Sequence, residues 1–442
     1  LSDYFNPYET KLLNGPALKR IEPGVIDRIL APQGFQAIEE LLFGDWEANH
    51  YMKLMTLLDD MLSTLSKMQQ EPDRYLKFKP ELVWDAMRSA LAQVMTTGIT
   101  GFDSPVAAYS IPEAKASITG VRTILGLIEP ELKEKGTMQD TGLMAETVRT
   151  MDYLEKHPQF SSFDRLEFIR QYMNPLYAAL VRTRITSGIG VPAGRSAINY
   201  DAVSLFSPDA LNINFYSPPP EYWVSPERVA LGALLFSDPV LSGNKDRSCA
   251  SCHIPQKAFT DGRVKPYGLD NETLLNRNTP TLLNSGFQTR QFYDSRTDLL
   301  ENQLSEVVHN PDEMKGSMKA SAEILEKSPH YLSLFKKAYP QEKDPVSSFT
   351  IANAISSYVR SLRSLNAKFD LYLRGETNQL DKAAKRGFNL FTGKAKCASC
   401  HFIPLFNGVV PPAFAETESE VLGVPASKNK NPAVLDKDPG KF

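Results

Sequence analysis

Along the stretch that begins at Tyr51, Leu54, Leu57, Leu58, Met61, Leu62, Leu65 and Met68 recur at i, i+3 and i+4. That spacing gathers them on one face of a helix. A second run through Phe163, Leu166, Ile169 and Leu180 has the same period and follows Ser162, whose hydroxyl is the expected N-cap. Pro and Gly clusters at Gly98–Pro105 and Gly188–Gly194 punctuate these segments. The pattern predicts an antiparallel helical bundle over residues 1–205. Residues 206–225 read as a linker stiffened by Pro218-Pro219-Pro220. Ser225-Pro226-Glu227 then starts a helix, with a capping hydroxyl, a φ already fixed for the first turn, and an acid at the positive end of the dipole. Beyond it short helices alternate with loops and no strand pattern is sustained. The expected fold class is mainly α, and Met residues at core spacing are read as packing.

Composition narrows the partners more than the fold. A chain of 442 residues allows two or three domains. Its formal net charge of −3 gives no electrostatic case for nucleic acid or an anionic membrane. Apolar runs such as Val229–Phe236 are too short to cross a bilayer, so no transmembrane segment is expected. The sequence shows neither an initiator Met nor a signal peptide, and its N-terminus reads as processed or as an artificial boundary.

All four Cys fall in two copies of one pentapeptide, Cys249-Ala-Ser-Cys252-His253 and Cys397-Ala-Ser-Cys400-His401. Two thiols at this spacing can each add to a vinyl group on a haem edge, and the adjacent His can then ligate the iron from below. A four-thiolate zinc site, a redox dithiol or two disulfides would use the same Cys, but none requires a His directly after the second one. With six His in the chain, such a position carries His by chance about once in 70. Two covalent c-type haems are the preferred reading. Because such attachment is made outside the cytoplasm, it places the mature protein in the periplasm or another extracytoplasmic compartment. The motifs begin 148 positions apart (397 − 249), one small domain each. The helical stretches ahead of them, ending Leu234–Phe236 and Leu390–Phe391, suggest a loose internal duplication.

From Glu227 onward further motifs accompany these pentapeptides. They are Leu231–Ser242, Ala258-Phe-Thr-Asp-Gly262, Arg277-Asn-Thr-Pro-Thr-Leu-Leu-Asn284, Gln291-Phe-Tyr-Asp-Ser-Arg296, Pro311-Asp-Glu-Met314 and Gly387-Phe-Asn-Leu-Phe391. In these segments the chain resembles the bacterial di-haem cytochrome c peroxidase family. The resemblance implies a peroxidatic haem domain over 226–365 with His253 on its iron. It also implies an electron-transfer haem domain over 366–442 with His401 on its iron, C-terminally incomplete in this chain. It implies hydrogen peroxide as substrate and a small cytochrome or cupredoxin as electron donor, and it is compatible with a homodimer. The family's distal acid falls on Glu313 and its companion on Gln303; Asn278 matches a residue at a calcium (Ca2+) site.

Some positions depart from the family. Between Ile254 and Arg277 there is no His to cap the first iron, and neither Leu269 nor Asp270 can replace imidazole, so an open or water-bound first iron is expected. His309, between Gln303 and Glu313, is a substitute ligand or distal donor on this reading, with a surface turn His as the alternative. Tyr293 stands at the family's inter-haem Trp, where it either bridges electron transfer or simply packs. After His401 there is no Met, His or Tyr to serve as sixth ligand of the second haem. Two other functions stay open: a peroxide-dependent di-haem enzyme that oxidises residues of a protein partner, as in the maturation of a tryptophan-derived quinone, and a non-catalytic electron carrier. In the N-terminal region Gln33–Phe43 resembles the Gly-x-His-x-x-Glu signature of imelysin-like proteins, with Gln36 in place of the His. Glu39 and Glu40 are expected as surface acids on an amphipathic helix, and the bundle as an accessory docking element.

Overall fold

The computed structural model describes residues 10, 12–14, 20–22, 28–45, 49–70, 79–134, 141–417, 423–427, 432–438 and 440. They are mainly helical, as the apolar periodicity predicts; a three-residue antiparallel ribbon pairs Arg20–Glu22 (β1) with Arg28–Leu30 (β2). In chain order the first helices are α1 (Gly34–Phe43), α2 (His50–Gln70), α3 (Pro80–Gln93), α4 (Ser110–Glu134), α5 (Leu143–Lys156), α6 (Arg165–Phe168) and α7 (Asn174–Thr186). They continue with α8 (Pro226–Ser237), α9 (Leu300–His309), α10 (Met318–Glu326), α11 (Pro329–Ala338), α12 (Ser348–Ser361), α13 (Lys368–Leu373) and α14 (Lys382–Thr392). The chain divides into two compact units, one made of Leu1–Ala210 with Asn366–Ser419, the other of Leu211–Leu365 with Glu420–Phe442.

In the first unit Met87, Leu91 and Met95 of α3 and its continuation are fully buried, as are Ile111, Ile118 and Leu125 of α4. Burying an aliphatic side chain contributes about 1.5–3 kcal/mol, so these stripes set how the helices pack. Met61 is buried on α2 with Leu54, Leu57, Leu58 and Met68 beside it, whereas Leu62 and Leu65 of the same predicted stripe are exposed. A 3.6-residue period drifts around a 21-residue helix, and one neighbour covers only part of the stripe. The expected cap Ser162 is also corrected. Ser162 ends a short 3-10 turn, and Asp164 caps α6 by accepting from Glu167 N at 3.0 Å. A carboxylate placed two residues later reaches the free N–H groups that Ser162 cannot.

The second unit is organised by α8 against α12. Ser225 caps α8, accepting from Arg228 N at 3.3 Å, with Pro226 in the first turn as predicted. Leu231, Leu235 and Phe236 bury against Ile351, Ile355 and Val359. The backbones approach so closely at Gly232 that a Cβ there would lie 2.0 Å from Ala354 O. A buried bidentate ion pair ties α9 to α12: Arg360 Nη1 donates to Glu301 Oε1 at 2.6 Å and Nη2 to Oε2 at 2.9 Å. Asn353 Nδ2 adds a bond to the same carboxylate at 3.0 Å, so the buried charges leave few unsatisfied sites. The Pro-rich stretch is folded into this unit, where the Arg228 guanidinium donates to the carbonyls of Trp223 and Glu221.

Candidate functional site

Each CxxCH pentapeptide folds as one tight turn after a helix whose next-to-last residue is Phe, α8 before the first and α14 before the second. Cys249–Ser251 and Cys397–Ser399 are 3-10 turns, and the His N–H closes back on the first Cys carbonyl at 2.9 Å in both. The imidazoles are then aimed the same way. His253 Nδ1 donates to Phe259 O at 3.0 Å and His401 Nδ1 donates to Phe406 O at 3.2 Å. A carbonyl can only accept, so Nδ1 carries the proton and the Nε2 lone pair is left for a metal.

Phe259 and Phe406 take left-handed backbone conformations, with φ 58° and 56°. A non-glycine residue there costs about 1–2 kcal/mol, and in both loops the consequence is the same: a carbonyl turned onto the imidazole. The sequence reading missed this pair. The visible signal was a Phe six residues after His253 and another five after His401.

These residues fit a covalently held haem. None of the four Cys is in a disulfide. Burial pushes the Cys249 thiol up to about 12 and raises Cys252. Among the described residues no group of three or more His, Cys, Asp or Glu could hold a metal ion. Burial also lowers the pKa of His253, keeping it neutral and able to ligate.

Around the first motif the family-like segments converge. Thr281 Oγ1 donates to Ala258 O at 2.5 Å, tying the Arg277–Asn284 segment to the loop that holds the Phe259 carbonyl. A cleft of ≈ 340 Å³ is lined by Phe292, Arg296, Glu306, Val307, His309, Asn310 and Glu313. Glu313 is half-buried, and burial raises its pKa against the opposing effects of an Asn310 hydrogen bond (Nδ2 to Oε1, 2.8 Å), Arg296 and Arg247. Its charge in turn reaches Cys252, where together with Asp261 it raises the thiol. Arg296 rests on the Phe292 ring at 3.5 Å and donates to Asp294 at 2.8 Å and Glu306 at 2.7 Å. His309 is exposed, with Nδ1 bonded to Ser305 O at 2.7 Å. Gln303 is half-buried one turn before Glu306 on α9 and is not among the cleft's lining residues. Arg296, Glu306 and Phe292 were not singled out from sequence, although Phe292 and Arg296 lie in the Gln291–Arg296 motif.

The remaining expected residues lie elsewhere. Tyr293 is 60% exposed, under the Arg277 guanidinium at 4.9 Å. Arg277 also holds Asp438 through Nε at 2.6 Å and Nη2 at 2.8 Å. Asn278 is exposed. Glu39 corrects its expectation: it is buried, with Oε1 accepting from Ala107 N at 2.7 Å and Val106 N at 3.3 Å, because a loop folds over that face of α1. Glu40 is exposed as expected. No helix among the described residues is long and apolar enough to cross a membrane.

Residues 226–378 match the di-haem cytochrome c peroxidase family model. The methylamine utilization protein MauG of Methylorubrum extorquens is 40% identical over 178 residues, covering 40% of this chain and 50% of that protein. The cytochrome c peroxidase Ccp of Escherichia coli is 32% identical over 267 residues, 58% of this chain and 56% of the relative. The cytochrome c551 peroxidase of Pseudomonas aeruginosa is 32% identical over 209 residues, 47% and 59% respectively. The chain thus spans between half and three-fifths of the length of these relatives.

Proposed function

We propose, from the di-haem cytochrome c peroxidase segment that residues 226–378 carry, that this chain holds two covalent c-type haems and reduces hydrogen peroxide at the first. Cys249, Cys252 and His253 hold one group, and Cys397, Cys400 and His401 hold the other. Residues 226–365 are the peroxidatic domain and 366–442 the electron-entry domain, fed by a small extracytoplasmic redox protein. When bound, haem supplies the iron and the electron relay that reductive cleavage of an O–O bond requires.

The protein's own part is proton handling. Glu313 takes a proton from one peroxide oxygen and returns it to the departing one, which leaves as water. A carboxyl that must do both works best with its pKa moved toward neutrality, the direction in which burial moves Glu313. Arg296, fixed by Asp294 and Glu306, opposes that rise. His309 adds a second proton-handling group at the cleft. Gln303 acts as the companion of Glu313, Tyr293 as the inter-haem aromatic and Asn278 as a calcium ligand.

The observation that supports this reading most is the half-buried Glu313 in a cleft close enough to the first motif for its charge to act on Cys252. Replacing Glu313 with Gln should lower peroxide-dependent donor oxidation by about 10²–10⁴-fold with haem content unchanged. Unchanged turnover would remove the proposal. A second reading, peroxide-driven oxidation of a protein partner, is favoured by the 40% identity to MauG and by the absence of His between Ile254 and Arg277. Pre-reduced protein mixed with peroxide and a reduced cytochrome separates them: donor turnover supports the peroxidase, and a persistent oxidised spectrum without turnover supports the alternative.

A further inference from the structure

Residues 366–419 belong to the same compact unit as the N-terminal helices, and those helices touch the second motif at both ends. Lys396, directly before Cys397, donates through Nζ to Pro105 O at 2.8 Å. Phe402, directly after His401, meets the edge of Phe102 with centroids 5.3 Å apart. The loop that carries Phe102 and Pro105 is itself held from two sides. Glu39 accepts from Val106 N and Ala107 N at its far end. At its near end Ile99 O accepts from Arg165 Nε at 2.7 Å.

Arg165 is the unusual member of this set. It is 1% exposed, and backbone carbonyls rather than a carboxylate hold it: Ile99 O, Phe163 O at 3.1 Å and Phe160 O at 3.0 Å, with the Phe160 ring 4.3 Å below. Its neighbour Asp164 is exposed and engaged with Glu167 N and Asn389 Nδ2. Burial brings Arg165 down to about 10, which still leaves it charged at neutral pH. The guanidinium lies under Gly393, where a Cβ would come within 2.6 Å of Nη1, at the turn that leads through Lys396 into Cys397. Burying a cation whose hydrogen bonds all go to carbonyls, with Asp164 acting on it only at a distance, is costly, and a Met side chain would fill the same space without that cost.

We propose that the N-terminal helices are part of the second haem's surroundings, with the Ile99–Pro105 loop as a wall and Arg165 as a fixed buried cation that raises this haem's reduction potential. The inference rests on the reading that Cys397, Cys400 and His401 carry a haem. A fixed positive charge favours the reduced centre, which holds one positive charge fewer. In a poorly polarisable interior that preference extends beyond direct contact. The bundle then has a task of its own, setting the potential at which electrons enter.

The test is a potentiometric titration of the full-length, haem-loaded protein, following each haem by its own absorbance change. Arg165→Gln should lower the second potential and leave the first where it was. Arg165→Lys, which keeps the charge, should retain most of the wild-type value. Gly393→Ala, which pushes the guanidinium aside, should shift the second potential the same way as Gln and covers the case in which Arg165→Gln fails to fold. Unchanged potentials in the folded variants, or equal shifts of both haems, would overturn the proposal. A peptide map without haem on Cys397 and Cys400 would instead overturn the reading on which it rests.

Discussion

At the first motif His253 is half-buried, an acid faces the cleft beside it, and the preceding helix is clamped against α12; at the second, His401 is exposed. The residues between Lys382 and Ala415 include five Lys or Arg and no acid. Around the first motif Asp246, Asp261 and Glu313 offset the basic residues. Even the duplicated glycines differ. Gly232 and Gly387 each precede a Phe by four residues, yet a Cβ on Gly232 would strike Ala354 O, and one on Gly387 would meet nothing within 4 Å. The attachment turn and the carbonyl that orients the imidazole are the same in both. The turn is a local device that can be copied whole, whereas the surroundings of each motif follow from the tertiary packing around it.

The strongest way to break this comparison is to remove one site at a time. Replacing both Cys249 and Cys252 with Ala should abolish the peroxide response, a loss of at least ~10³-fold, because the cofactor carries the hard chemistry. The same change at Cys397 and Cys400 should stop turnover with a protein donor and keep the first haem's spectral response to peroxide. Identical phenotypes from the two variants would erase the distinction between the sites.

The glycine pair gives the next largest effect. Gly232→Ala should destabilise the protein by ~3 kcal/mol through forced separation of α8 and α12. Gly387→Ala should stabilise it by about 0.5–1 kcal/mol, since an open helical position gains propensity and the unfolded chain loses freedom. Denaturant midpoints decide both signs.

The smallest effect sharpens the electrostatics of the first site alone. If Glu313 is the base, it works only when ionised, and activity should rise with pH through its raised pKa. Arg296 lowers that pKa, so Arg296→Gln should move the acidic limb of the rate profile to higher pH. Linkage runs the opposite way with pH. The folded state holds the Glu313 proton more tightly than the unfolded chain, so this group's stabilisation is complete below the ordinary carboxylate range and fades as pH rises through the raised folded value. A limb that stays in place in the variant would detach Arg296 from Glu313.

What the sequence made legible was local. The CxxCH turns, the Ser225 cap and the two helices whose next-to-last residue is Phe each depend on residues a few positions apart, where spacing and side-chain type determine the outcome. The burial of Glu39 was not legible, because it depends on a loop 67 positions away. Nor was the grouping of the second motif with the N-terminal helices, which rests on contacts such as Asn389 with Leu166, 223 positions apart. Phe259 and Phe406 lay between these extremes: near the motif in sequence, but recognisable only from a backbone angle that phenylalanine rarely adopts. Gly232 and Gly387 share one pattern, and only the packing of α12 separates their fates.

The most direct measurement is a peptide map by mass spectrometry on denatured, purified protein. The account predicts one haem retained on the peptide containing Cys249 and Cys252 and one on the peptide containing Cys397 and Cys400. Bare peptides at both positions, from a colourless protein with the mass of the polypeptide alone, would contradict it.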